Sequence, residues 1–275
     1  MPTFVVPPSD GAPARATLVR SALDRSVDVE IAPPGTDVVA DLLGGGFDGL
    51  VIPLPEARRT AAEHGFACQV VAREERRDVM ISDREATTTL MGLDENSRVA
   101  VVGNRRLALL RASRPDVVGI KVEADVDALL ARISSGDFSA LVADGCTVVR
   151  TGHESRVQEW FEPTAWVPEV ATGALGLLWR RDAETLTISA AVGAAVEAEE
   201  AMKEALEGTN DGIVCAMALP YGPHLRLWGL VVSPQGTRAV RADLTGDVRS
   251  AHDLGRRVAA LLMARGAALT SADVS

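Results

Sequence analysis

Two adjacent arginines, Arg105 and Arg106, follow a short apolar run and open a helical pattern. A helix N-terminus aims unpaired backbone N–H groups and the positive end of its dipole at an anion. Guanidinium groups add bidentate pairing with carboxylates. The pair therefore reads as a candidate carboxylate site. The three cysteines, Cys68, Cys146 and Cys215, form no C-x-x-C pair and no disulfide framework. In G-I-V-C-A-M-A (residues 212–218) strand alternation places Ile213, Cys215 and Met217 on one face, so Cys215 reads as a small buried hydrophobe. His64, His153, His224 and His252 are isolated and lack metal-ligand spacing, so no metal is expected. Gly44, Gly45 and Gly46 end a helix, and no Lys-Ser/Thr follows them to make a phosphate loop. Trp160, Trp166, Trp179 and Trp228 read as packing residues rather than a ligand platform.

Composition narrows the partners. A chain of 275 residues that is 47% hydrophobic can bury a substantial core and divide into two or three compact units. A net charge of −10 argues against nucleic acid, which needs concentrated Lys and Arg. No run of 18 apolar residues occurs, and the first residues lack the basic and apolar regions of a signal peptide. The expectation is a soluble, reduced, cytoplasmic protein that binds neither nucleic acid nor a membrane. The sequence does not specify a protein partner.

The elements that must carry these residues alternate. T-F-V-V, V-D-V-E-I-A and L-V-I read as strands separated by helices over residues 14–23 and 36–43. The rhythm repeats after Arg98: R-V-A-V-V-G, V-V-G-I-K-V and A-L-V-A are strands, with helices over residues 104–112 and 125–133. Such alternation implies βαβ units and mainly parallel sheets. Two series in succession predict two α/β lobes, with a hinge near residues 73–82. The last third differs: a long Ala- and Glu-rich helix over residues 183–207 stops at Gly208, three strands follow, and a helix over residues 254–263 closes the chain. Pro234, Gln235 and Gly236 make the turn between the second and third of those strands. This region is a small α+β domain.

The order of four further stretches is similar to one enzyme family. N-R-R-L-A-L-L-R-A-S-R-P-D (residues 104–116), G-D-F-S-A-L-V-A-D-G-C-T-V-V-R-T-G (136–152), P-E-V-A-T-G-A-L-G-L-L-W-R-R-D (168–182) and A-x-E-A-x-E-A-M-K-E-A-L-E-G (195–208) are collinear with signatures of porphobilinogen deaminase, also called hydroxymethylbilane synthase. The resemblance implies a transferase of tetrapyrrole biosynthesis that joins four porphobilinogen units on a dipyrromethane cofactor linked to a cysteine. It also implies two periplasmic-binding-protein-like α/β lobes plus a small C-terminal α+β domain. Lobe 1 would be residues 1–77 and 168–183, lobe 2 residues 78–167 and the third domain residues 184–275, with the ligand in an interlobe cleft.

The chain departs from that pattern where the chemistry lies. The family's H-S-L-K-D-L-P becomes I-P-L-P-E-A-R, so Glu56 takes the place of the catalytic Asp, Pro55 that of a Lys and Ile52 that of a His. Glu56 is the implied acid–base residue, one methylene longer and expected on a Pro-rich loop where Pro53 and Pro55 remove backbone donors. Asn210 stands at the cofactor cysteine; it cannot form a thioether, and Cys215 is only a remote alternative five positions on. Two family arginines map to Glu123 and Leu129, and a Glu in the path of a polycarboxylate repels it. Arg105, Arg106 and Arg150 are the implied substrate-binding set, and Asp78 reads as structural.

Three readings follow. The first is a divergent deaminase-like protein without the covalent cofactor, binding a small carboxylate or pyrrole ligand with altered or lost chemistry. The second is a working hydroxymethylbilane synthase with an unorthodox anchor, for which dipyrromethane would be needed. The third is a non-catalytic binding or regulatory module.

Overall fold

β1 (Thr3–Val6), α1 (Ala12–Ala22) and β2 (Asp28–Ile31) form a first βαβ unit, with β1 and β2 parallel and paired from Thr3↔Asp28 to Val6↔Ile31. This computed structural model describes residues 2–9, 11–23, 27–83, 89–181, 190–209 and 211–268. α2 (Val38–Gly44) starts where the Asp37 side chain accepts from the Ala40 N–H at 3.1 Å, and it ends at Gly45, whose φ of 77° is left-handed. β3 (Gly49–Pro53) then pairs parallel to β1.

α3 (Leu54–His64) corrects one expectation. Pro53 and Pro55 do not make a loop: Pro53 is the N-cap and Pro55 sits in the first turn. Proline there loses nothing, because first-turn N–H groups have no intrahelical acceptor and the fixed φ suits the helix. β4 (Ala67–Arg73) follows.

The second series has the same grammar. β5 (Asp78–Ile81), β6 (Arg98–Val102), α4 (Asn104–Ser113), β7 (Val118–Val122), α5 (Val126–Ser134), β8 (Ala140–Asp144), α6 (Gly145–Arg150) and β9 (Val157–Trp160) succeed one another. β10 (Ala174–Trp179) then joins the first sheet, antiparallel between β3 and β4. The two sheets are ordered β2-β1-β3-β10-β4 and β7-β6-β8-β5-β9. In each, three parallel strands are followed by one antiparallel strand in fourth place, which is the periplasmic-binding-protein type of lobe.

Period-2 burial fills both faces of each sheet. In the first, Phe4, Val6, Val51, Leu175 and Leu177 pack with Ala12, Ala16 and Val19 of α1, while Val5, Leu50, Ile52 and Leu178 pack with Leu42 and Ala57 of α2 and α3. In the second, Val99, Val101, Ala140 and Val142 pack with Leu107 and Leu110 of α4, while Ala100, Leu141 and Ala143 pack with Leu129, Leu130 and Ile133 of α5.

α7 (Ala190–Leu206), β11 (Ile213–Tyr221), β12 (His224–Val232), β13 (Ala239–Asp247) and α8 (Ala251–Ala264) make the third, α+β part, an antiparallel sheet of order β11-β12-β13 with two helices. α7 ends before Gly208 at φ +71°; residues 183–189 of the longer helix expected here lie outside the described residues. Cys215, Met217, Leu230 and Val232 join the α4 face of the second sheet in one core. By contacts the chain falls into two units, residues 1–75 with 171–196 and residues 76–170 with 197–275, so the three strands, α8 and α7 from residue 197 onward belong with the second lobe, and the start of α7 with the first. Among the described residues no helix is long and apolar enough to cross a membrane.

Candidate functional site

The carboxyl ends of β6 and β8 and the start of the antiparallel β5 meet at one edge of the second sheet. Ligands of open α/β sheets bind outside this edge, where strand ends give way to helix N-termini. Here it carries Asp78 at the start of β5, Arg105 and Arg106 in the first turn of α4, Asp144 at the end of β8, and Arg150 at the end of α6. Gly145 follows Asp144 because nothing larger fits: a Cβ there would lie 2.5 Å from the Arg77 carbonyl oxygen and 2.8 Å from the Trp160 ring.

Asp78 is 2% exposed and divides its two oxygens between the arginines: Oδ2 accepts from Arg105 Nη2 and Oδ1 from Arg106 Nε, each at 2.5 Å. Arg105 is 3% exposed, donates through Nη1 to the Val167 carbonyl at 3.0 Å, and keeps Nε 3.8 Å from Glu169 Oε1. That Nε is buried with no hydrogen-bond partner among the described residues. Burial works against the Arg105 charge, yet Asp78 beside it more than offsets this, and the guanidinium holds its proton above its ordinary range.

Arg106 is less enclosed, its side chain 14% exposed. It donates through Nη1 to the Val102 carbonyl at 2.8 Å and brings Nη2 to 3.8 Å from Asp144 Oδ1. Asp144 caps α6, accepting from the Thr147 N–H at 2.9 Å and hydroxyl at 2.6 Å, and Arg150 Nη2 donates to that hydroxyl oxygen at 3.1 Å. The structure thus brings the three arginines picked from the sequence into one polar chain: Arg105, Asp78, Arg106, Asp144, Thr147, Arg150. Asp78 and Asp144 knit it together; the sequence reading takes Asp78 as structural and does not single out Asp144. Asp78 stood out only by its place in the hinge stretch 73–82; Asp144 had no such signal.

The remaining expected residues lie elsewhere. Glu56 sits in the first turn of α3, just past the carboxyl end of β3, exposed and without a hydrogen bond or ion pair to any described residue. That is the first lobe's equivalent of the arginine position, and an acid there is favoured by the helix dipole. Glu123 follows β7 with a side chain 84% exposed and 3.4 Å from Lys121 Nζ. Leu129 is fully buried in α5. Asn210 lies outside the described residues.

Cys215 is 0% exposed in β11, its Sγ 3.9 Å from the Ile213 carbonyl oxygen. Burial pushes its thiol up to about 12, only partly opposed by Arg105. A thioether anchor requires a thiolate that can meet its partner, and Cys215 offers neither ionisation nor access. Cys215, as placed in β11, therefore does not fit a thioether linkage. Among the described residues no group of three or more His, Cys, Asp or Glu could hold a metal ion.

The sequence comparisons agree with this architecture. Residues 36–187 match the family described as porphobilinogen deaminase, dipyromethane cofactor binding domain. The porphobilinogen deaminase of Xanthomonas campestris pv. campestris (strain B100) is 34% identical over 211 residues, covering 74% of this chain and 69% of that protein. That of Deinococcus radiodurans is 33% identical over 207 residues, covering 71% and 65%. Among solved structures, an ABC transporter periplasmic substrate-binding protein from Coxiella burnetii superposes with a TM-score of 0.37 at 14% identity, covering 66% of this chain and 86% of that one; the fold assignment rests on strand order instead. The strand orders define two α/β lobes of the periplasmic-binding-protein type with a C-terminal α+β part. The chain belongs to the porphobilinogen deaminase family.

Proposed function

We propose that this family member works without a thioether-anchored dipyrromethane and binds a small carboxylate or pyrrole ligand at the carboxyl-end edge of the second sheet. The observation that carries the reading is Cys215, the thiol nearest in sequence to the family's anchor position, which is fully buried and resists ionisation. Asn210 supplies no sulfur in its stead. In this reading Arg106 and Arg150 meet the ligand's carboxylate, while Arg105, buried and engaged by Asp78, holds the first turn of α4 in place. A reduced, cytoplasmic setting is part of the proposal, and it is in keeping that Cys68, Cys146 and Cys215 form no disulfide.

One observation favours retained chemistry. Glu56 keeps an unpaired carboxylate at the strand-end position of the first lobe, in the place of the family's catalytic Asp. If the protein is a working hydroxymethylbilane synthase, Glu56 is its acid–base group.

Calorimetric titration with porphobilinogen tests both readings. Binding is expected without consumption of the ligand, and Arg106→Ala and Arg150→Ala should each weaken it about tenfold, the worth of a charge-assisted hydrogen bond. Affinity unchanged in both variants removes the assigned site. Turnover of porphobilinogen, abolished by Glu56→Gln, would instead establish the synthase reading.

A further inference from the structure

The arginine network has an open end. Asp144 engages only one of its carboxylate oxygens: Oδ2 accepts from the Thr147 N–H at 2.9 Å and from its hydroxyl at 2.6 Å, whereas Oδ1 makes no hydrogen bond to a described residue. Arg106 Nη2 stands 3.8 Å from that Oδ1. Arg106 in turn uses Nε on Asp78 and Nη1 on the Val102 carbonyl, so Nη2 is the end of the guanidinium without a hydrogen bond among the described residues.

At 3.8 Å the two groups attract each other but lie beyond hydrogen-bond reach, which ends at about 3.2 Å for N–H···O. Each therefore keeps its capacity for a partner. Both also meet solvent: the Arg106 and Asp144 side chains are 14% and 24% exposed, and neither Nη2 nor Oδ1 is among the polar atoms buried without a partner. A cationic donor and an anionic acceptor thus stand open side by side. Asp78 fixes the first, and the first turn of α6 fixes the second.

The other acids beside these arginines are placed differently. Both Asp78 oxygens are held by Arg105 and Arg106, and Glu169 lies against the buried Arg105, 3.8 Å from its Nε. A ligand carboxylate bonded to Arg106 Nη2 would come within about 7 Å of Asp144 Oδ1. Like charges at that separation repel. An ammonium group next to the ligand's carboxylate turns the repulsion into attraction.

From this pairing we infer that the site takes an aminocarboxylate, with the carboxylate on Arg106 Nη2 and the ammonium on Asp144 Oδ1. A ligand whose two charged groups are one or two carbons apart matches the 3.8 Å between their partners. Asp144 is then the residue that selects for the amine. The inference rests on the reading proposed above, that Arg106 meets a ligand carboxylate, and adds the second charge that the ligand must carry.

The test compares L-phenylalanine with 3-phenylpropionate, which differ only in the ammonium group, by amide chemical shifts of the full chain. L-phenylalanine is expected to bind saturably with a Kd of about 1 mM or tighter. 3-Phenylpropionate should bind about tenfold more weakly, as the loss of one charge-assisted hydrogen bond predicts. Asp144→Asn should erase that difference; asparagine still caps α6, and a cooperative melting transition confirms the fold. Equal affinity for the two probes, both weakened by Arg106→Ala, overturns the inference and leaves the carboxylate reading standing. A preference for L-phenylalanine that survives Asp144→Asn also overturns it. Absence of saturable binding of either probe at millimolar concentration does the same, and takes the carboxylate reading with it where porphobilinogen also fails to bind.

Discussion

Asp78 and Cys215 show how burial assigns roles that residue type alone leaves open. Asp78 carries one negative charge between two guanidinium groups, nearly out of contact with water. Removing one partner of a buried ionic group strands the others, at a cost of about 3–5 kcal/mol. Asp78→Ala should therefore lower the free energy of urea unfolding by about that amount; an unchanged midpoint would mean that Arg105 and Arg106 find water or Glu169 instead. Cys215 has the reverse problem, since its neutral form is the stable one. Its folded pKa of about 12 exceeds the ordinary 9.0, so above pH 9 the unfolded chain releases a proton that the folded chain retains. Stability is whole below pH 9 and falls as pH rises toward 12, by about 1.4 kcal/mol per pH unit for this one group. Comparing urea midpoints of the native chain and Cys215→Ala from pH 8 to pH 10.5 checks this: the variant should lose less stability on the alkaline side, and parallel curves would contradict the burial. Cys215's role was legible beforehand, because strand alternation in G-I-V-C-A-M-A sets its face. The Asp78–Arg105 pair was not, being 27 residues apart and joined only when β5 enters the sheet.

Elements were legible where their periodicity was clean. β1, β3, β6 and β8 are short apolar runs bounded by turns, and strands of this sort are buried on both faces. α3 was hidden because it opens L-P-E-A-R-R, and two prolines in three residues suggest a loop until they fall at the N-cap and first turn. The return of β10 to the first lobe was expected only from the family resemblance, which assigned residues 168–183 there. Ala174–Trp179 is apolar enough for a strand, but nothing local says that it returns to sit between β3 and β4, about a hundred residues back. Gly176 marks the place: a Cβ there would come within 2.5 Å of Ala57 on α3, so the strand and helix touch through glycine. In the α+β part, Gly255 does the same for α7 and α8, where a Cβ would stand 2.4 Å from the Ala198 carbonyl oxygen. These contacts fix the packing of strand against helix and helix against helix. The sequence offers only a Gly in a helical run, which propensity alone counts as a defect.

At the scale of the whole molecule, the two lobes repeat one strand order, and each offers a strand end with a helix opening from it. The first lobe presents a carboxylate there, Glu56, and the second an arginine network balanced by Asp78 and Asp144. The family's scaffold is thus retained, while in our reading Asn210 stands at its cofactor cysteine, and Cys215 is sealed in the core. Binding a small acid without building a polymer on a covalent primer is the function we propose on these two grounds. The most direct test is the intact mass of the purified protein, before and after incubation with porphobilinogen. The account predicts the mass of the unmodified polypeptide on both occasions. A stable increment of two pyrrole units, mapped to Cys215 or to any other side chain, would contradict it.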